Sequence, residues 1–265
     1  MQLGAVELSI LIPAFVAGML VLATHVPMGQ QVLSRGIVFI DLAIAQVAGL
    51  GVTVAGFFAA EPQGWQVQAA AASAALIGAL LLTWTEKKWP QVQEALIGVL
   101  FVLAASAQLL LLANNPQGGE HLKDLLVGQI LWVQLPSLVP IAIFYAVALA
   151  VWFLFRKRMG MIGFYVLFAL VVTQSVQLVG VYLVFASLIV PALASRRFTP
   201  KLRLGVGYAV GLVGYVAGLV VSSVFDLPTG AAIVVTLVAS FVVAIIASLA
   251  VPVSLRAEPE PAPTH

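Results

Sequence analysis

GFYVLFALVVTQSVQLVGVYLVFASLIVPALAS, residues 163–195, is one long apolar run, with Arg156-Lys157-Arg158 before it and Arg196-Arg197 directly after it. A perpendicular helix needs about 20 residues to cross about 30 Å of hydrocarbon. The run is too long for a single crossing of that kind. Lys and Arg are retained in the cytoplasmic loops of membrane proteins, so basic residues at both ends place both ends on one side. That requires two crossings. The polar stretch Thr173-Gln174-Ser175-Val176-Gln177 and Gly180 mark where two short helices should meet.

The same logic extends outward along the chain. Of its 12 Lys and Arg residues, all but Lys123 fall at Arg35, Lys87–Lys88, Arg156–Arg158, Arg196–Arg203 and Arg256. These clusters occupy alternate gaps between apolar segments. The 265 residues are 62% hydrophobic and 8% charged, with mean hydropathy +1.12. Soluble domains carry roughly 25% charged residues, so a water-soluble fold is excluded. The runs are continuous and lack the ten-residue alternation of an outer-membrane barrel. The fold class is therefore all-α, a polytopic helical membrane protein of about eight or nine transmembrane helices. Its net charge of +2 and pI near 9.0 reflect loop bias and give no reason to expect nucleic acid. Zero cysteines remove disulfides, thiolate metal sites and thiol catalysis. The N-terminus has no basic n-region and carries Glu7, which speaks against a cleaved signal peptide.

The predicted spans are 8–23, closed by a turn at His25-Val26-Pro27-Met28-Gly29, then 36–60, 67–84, 94–113 and 136–155. The two short helices follow, then 204–224 and 229–251. Residues 122–132 read as an amphipathic interfacial stretch. Residues 1–252 form the membrane domain, and the proline-rich tail 253–265 should be a disordered cytoplasmic extension. Nine crossings put the N-terminus outside and the C-terminus in the cytoplasm. The sequence has no P-loop, HExxH or GxSxG motif, so the chain is not expected to be an enzyme. Any uphill transport must be driven by a partner or an ion gradient.

A few polar residues stand out against this background. Asp41 lies inside a predicted span, where an ionised carboxylate costs about 2.5–3.5 kcal/mol on insertion scales. It should face a pathway, or else, lying six positions past Arg35 near the cytoplasmic end, reach the interface or pair with a base. Gln46 lies deeper, as a pathway group or an inter-helix hydrogen-bonding residue. Gln174 and Gln177 sit near the predicted break, where unwound backbone often lines a cavity. Asp226 precedes Leu-Pro-Thr-Gly and should cap or orient an outer turn, with a gating role as the sharper alternative. His121, with Glu120 and Asp124, is either a metal-docking cluster or a solvated loop. The glycines at 205, 207, 211, 214 and 218 suit close helix packing.

Three segments together resemble the membrane subunit of bacterial ABC importers for zinc, manganese and iron. They are SRGIVFIDLAIAQVAGLGV (34–52), QLVGVYLVFASLIVPALASRR (177–197) and SSVFDLPTGAAIVV (222–235). Weaker matches at Glu94–Gly98 and Leu125–Val133 fall in the right order. The resemblance covers roughly residues 10–250. It implies a type II ABC importer-like permease that binds no cofactor and carries a divalent metal ion as substrate. It also implies a homodimer in the lipid bilayer of the bacterial inner membrane, two cytoplasmic ATPase subunits and an extracytoplasmic metal-binding protein. On this likeness Asp41, Gln46, Gln174, Gln177 and Asp226 are pathway candidates. Asp41 and Gln46 are the metal ligands, with His121 a weaker one. Arg156, Lys157, Arg158, Arg196 and Arg197 are the ATPase contacts.

There are two departures from the family pattern. Relatives place Asp and His one turn apart in the second span; here those positions hold Leu42 and Gln46, with Asp41 one residue aside. A carboxylate and an amide oxygen suit a harder cation than zinc. The alternatives are an altered selectivity or a member that has lost the site. The coupling segment after the fifth span is also reduced to Arg156–Gly163. An ATP-independent carrier or channel is the competing function.

Overall fold

The computed structural model describes residues 8–58, 64–113, 119, 126–128 and 130–250. Nine α-helices follow one another in these residues: α1 (Leu8–Arg35), α2 (Ile40–Phe58), α3 (Gly64–Lys88), α4 (Gln93–Leu112), α5 (Leu135–Phe155), α6 (Met161–Val179), α7 (Val181–Ser195), α8 (Pro200–Phe225) and α9 (Thr229–Ala250). Single 3-10 turns at Pro90–Val92 and Ile130–Trp132 lead into α4 and α5. Seven helices are long and apolar enough to cross a membrane, and α2 and α7 supply two shorter apolar ones. The tail 253–265 and His121 lie outside the described residues, as do residues 122–125 and 129 of the predicted interfacial stretch.

The first span differs from its prediction. No turn interrupts residues 25–29, and α1 runs through Pro27 to Arg35. Proline lacks an N–H and leaves the carbonyl four residues earlier without its helical donor. That carbonyl belongs to Ala23, and it accepts the Tyr208 hydroxyl of α8 at 2.9 Å. A tertiary hydrogen bond thus restores what the proline removes, and the helix continues. It ends at Gly36, whose φ of +70° suits glycine. There the Gly36 and Ile37 N–H groups return to Leu33 and Val32, closing a Schellman motif.

The run 163–195 does form two helices, divided at Gly180 with φ of +83°. Phe164 near the start of α6 receives the Arg35 guanidinium over its ring at 4.4 Å. Ser195 at the end of α7 accepts a hydrogen bond from Gln30 at 3.2 Å. Arg35 and Gln30 share the last turns of α1. Both ends of the run therefore lie at one end of the bundle, and the chain crosses it twice.

That end also holds Lys88, whose ammonium stacks on Trp84 and Trp89. The Arg156–Arg158 and Arg196–Arg203 turns join it through α6 and α7. At the opposite end three backbone segments meet. A Cβ on Gly128 would strike Val179, one on Gly180 would strike Gly128, and one on Gly230 would strike the Val127 carbonyl. The segment at 126–128 is thus locked between the α6–α7 break and the start of α9.

Packing follows small residues. α1 lies against α7 and α8, α8 against α9, and α2 against α3 and α4, while α6 leans on α3 and α5 sits at the edge. On α8, Gly207 and Gly211 admit Val26 and Leu22 of α1, and Gly214 and Gly218 admit Leu237 and Ile233 of α9. Gly205 faces open space and has no packing role. Without a hydrophobic driving force in lipid, such close contacts and inter-helix hydrogen bonds hold helices together. The Tyr145 hydroxyl bonds Ser175 at 2.6 Å, linking α5 to α6, and Tyr215 bonds Ser187 at 2.8 Å, linking α8 to α7. Each serine donates to the carbonyl four residues earlier, so each tyrosine is the donor to its serine. All four side chains are buried.

Candidate transport site

α2 begins at Ile40 because the α1–α2 turn ends there, and this puts Asp41 in the first helical turn. Its side chain is only 1% exposed, and neither carboxylate oxygen has a hydrogen-bond partner. The pairing with a base considered from sequence is not formed; the Arg35 guanidinium lies over Phe164. Beside Asp41, Glu94 projects from the first turn of α4. Its Oε1 accepts the Phe39 N–H at 3.2 Å, so it caps α2 from another helix. Its Oε2 is buried without a partner. Carboxylates at a helix N-terminus gain about 0.3–1 kcal/mol from the dipole, well short of the cost of burying unpaired acids.

Gln46 is buried in the same helix. Five residues of helix set it about 140° around the axis from Asp41, so the two do not converge. Its face continues to Gly49 and Thr53, where Gln108 of α4 donates to Thr53 Oγ1 at 3.2 Å. Gln174 is half-buried and Gln177 exposed. Gln177 accepts a hydrogen bond from Gln68 of α3, near the end of the bundle where Gly128, Gly180 and Gly230 meet. Asp226 is exposed and ends α8 in the left-handed conformation, φ 51°. Its turn is held by Ser222, which donates to the Leu227 carbonyl at 2.7 Å and bonds Thr229 at 2.6 Å. Arg156, Lys157, Arg158, Arg196 and Arg197 are exposed at the basic end.

The sequence candidates thus separate into three places: Asp41 near the basic end, Gln46 on another face of α2, and Gln177 with Asp226 toward the opposite end. Sequence reading missed the role of Glu94, which stood out only as part of a short motif. Its closeness to the N-terminus of α2 depends on α2 and α4 packing side by side. No group of three or more His, Cys, Asp or Glu side chains suited to holding a metal occurs among the described residues.

Apolar helices long enough to span a bilayer, packed through glycines around a few buried polar groups, define a polytopic membrane protein of the transport class. The chain belongs to the ABC 3 transport family, whose model matches residues 7–165 and 160–248. It is 23% identical to the membrane protein ZnuB of the high-affinity zinc uptake system of Haemophilus influenzae, over 85% of this chain and 93% of that protein. A probable iron transport system membrane protein of the same species is 27% identical over 51% of this chain and 58% of its own length. The fold is similar to that of PsaBC from Streptococcus pneumoniae, solved in complex with Fab. That match has a TM-score of 0.73 and 22% identity, and covers 90% of this chain and 92% of the other.

Proposed function

We propose that this chain is the permease subunit of an ABC importer for a divalent metal ion, with Asp41 on the ion's path. The observation that carries the reading is Asp41: a buried, unpartnered carboxylate at the start of an apolar helix, in a chain whose family is one of ABC transport. Such residues face substrate pathways in membrane proteins, and the zinc and iron systems named for two relatives fit a cationic cargo. Gln46, Gln174, Gln177 and Asp226 are further positions along that route, and His121 is a docking residue outside it.

In this reading two copies enclose the path in the bacterial inner membrane. The N-terminus is outside and the C-terminus in the cytoplasm. The basic end faces the cytoplasm, where Arg156–Arg158 and Arg196–Arg197 meet separate ATPase subunits that supply the energy. An extracytoplasmic metal-binding protein delivers ions at the opposite end. No cofactor is held, and nucleic acid plays no part.

The test is uptake of zinc, manganese and iron by cells whose own importers are deleted and which express this chain with an ABC ATPase and a metal-binding protein. Uptake should require all three components and be abolished by Asp41→Asn. Metal carried by the purified chain alone in liposomes under an ion gradient would instead identify a secondary carrier. Uptake unchanged in Asp41→Asn would remove Asp41 from the path.

A further inference from the structure

One exposed stripe of α3 runs straight into the turn that joins it to α4. Ile77, Leu80, Leu81 and Trp84 are exposed at the i, i+3, i+4, i+7 spacing of a single helical face. Lys88 continues that face one turn further. Trp65 and Trp84, both exposed, stand 19 residues apart, about 28 Å of helix and close to the thickness of the hydrocarbon core. Tryptophan collects at the two membrane–water boundaries, so the α3–α4 turn lies at headgroup level.

At that turn a cation is held in place at the surface. The Trp84 and Trp89 rings meet edge to face, with centroids 5.2 Å apart and planes at 84°. The Lys88 ammonium lies 5.2 Å from the first ring and 4.8 Å from the second, both within cation–π range. The rings are 51% and 41% exposed, and Lys87 and Lys88 are exposed beside them. Lys88 has no carboxylate partner among the described residues, and the neighbouring Glu86 keeps its Oε2 buried. The bland account is that the lysines complement the C-terminal dipole of α3 and the tryptophans only anchor it. It explains the residue types. It does not explain an ammonium gathered between two exposed rings with its outer side lacking a counter-ion.

We propose that Lys88, cradled by Trp84 and Trp89 and joined by Lys87, binds the headgroup phosphate of an anionic phospholipid in the leaflet at the basic end of the bundle. A phosphodiester oxygen accepts hydrogen bonds from the ammonium, and the charge makes them strong. The rings already restrict the lysine side chain, so less rotamer freedom is lost when the lipid docks. They also fill the zone between acyl chains and headgroups, for which an amphipathic indole is suited. A zwitterionic lipid offers the same phosphate but carries its own cation beside it, so the site should favour a lipid with net negative charge. This site lies apart from Asp41 and does not depend on what the chain transports.

Native mass spectrometry of the purified full-length chain, equilibrated with phosphatidylglycerol and phosphatidylcholine of matched acyl chains, reads which lipid stays bound. The wild type should retain phosphatidylglycerol over phosphatidylcholine by about fivefold or more. Lys88→Gln should remove most of that preference, and Lys88→Arg should keep it. Trp84→Leu with Trp89→Leu leaves the charge but removes the cradle, and should lower the preference in part. Lys201→Gln, an exposed position in another basic cluster, should leave it unchanged. Thermal unfolding in phosphatidylcholine identifies any variant that has misfolded. Equal retention of the two lipids by the wild type, or an unchanged preference in a folded Lys88→Gln chain, would overturn the proposal. An equal loss in Lys201→Gln would also overturn it, by making the preference a matter of overall charge. If Lys88→Gln kept the lipid preference but released ATPase subunits from an assembled transporter, the turn would be a protein contact and the lipid site would fall.

Discussion

At the scale of the residue, many polar groups inside the bundle are completed by a hydrogen-bond partner, though Asp41 and several others, among them His25 Nε2 and Trp152 Nε1, are not. Tyr208 shows the rule, since its hydroxyl bonds the carbonyl that Pro27 leaves without a donor. Tyr208→Phe should destabilise the folded chain by about 0.5–1.5 kcal/mol. Removing Pro27 as well, in Pro27→Ala with Tyr208→Phe, should recover most of that loss, because the helix then supplies its own donor. Thermal unfolding in detergent of the single and double variants checks the coupling; additive losses would contradict it. Tyr215→Phe, which strips the donor from Ser187, should cost a similar amount with no such rescue. None of these pairings was legible in the sequence. Pro27 read as a turn because the hydroxyl that repairs it lies far away in the chain.

The break in the apolar run 163–195 belongs to the scale of the element. The bordering charges were enough to predict it. Gly180 then proved to be the hinge itself, in a conformation that L side chains rarely adopt and pressed against Gly128. Gly180→Ala should therefore cost about 2 kcal/mol or more and lower the yield of monodisperse protein. Gly205→Ala, facing open space on α8, should be neutral or slightly stabilising. Size-exclusion profiles of the two variants make the comparison, and equal behaviour would refute the packing argument. The glycines of α8 looked alike in sequence. Only the neighbouring helices distinguish Gly207 and Gly211, which face α1, from Gly214 and Gly218, which face α9.

For the whole molecule, the basic clusters among the described residues gather at one end and the glycine-locked turns at the other. The absence of cysteine makes orientation directly measurable. A membrane-impermeant maleimide should label Asp226→Cys in intact cells, and Arg158→Cys only after the membrane is opened. The reverse pattern would invert the proposed topology and move the ATPase contacts to the other face. Both positions are exposed, so a failure to react reports sidedness and not burial.

Composition and charge spacing by themselves determined that this is a helical membrane protein, and where most of its helices fall. Hydrophobic length and loop charge act locally, each helix meeting the bilayer on its own terms. The double crossing at 163–195 and the ordered family motifs were legible for the same reason. Tertiary structure alone decided that α1 passes through Pro27, that Asp41 has no basic partner, and that Gln46 turns away from it. It alone brought Glu94 to the start of α2. Those outcomes depend on which helices lie side by side and how they are rotated, and distant residues set that through close packing and shared hydrogen bonds.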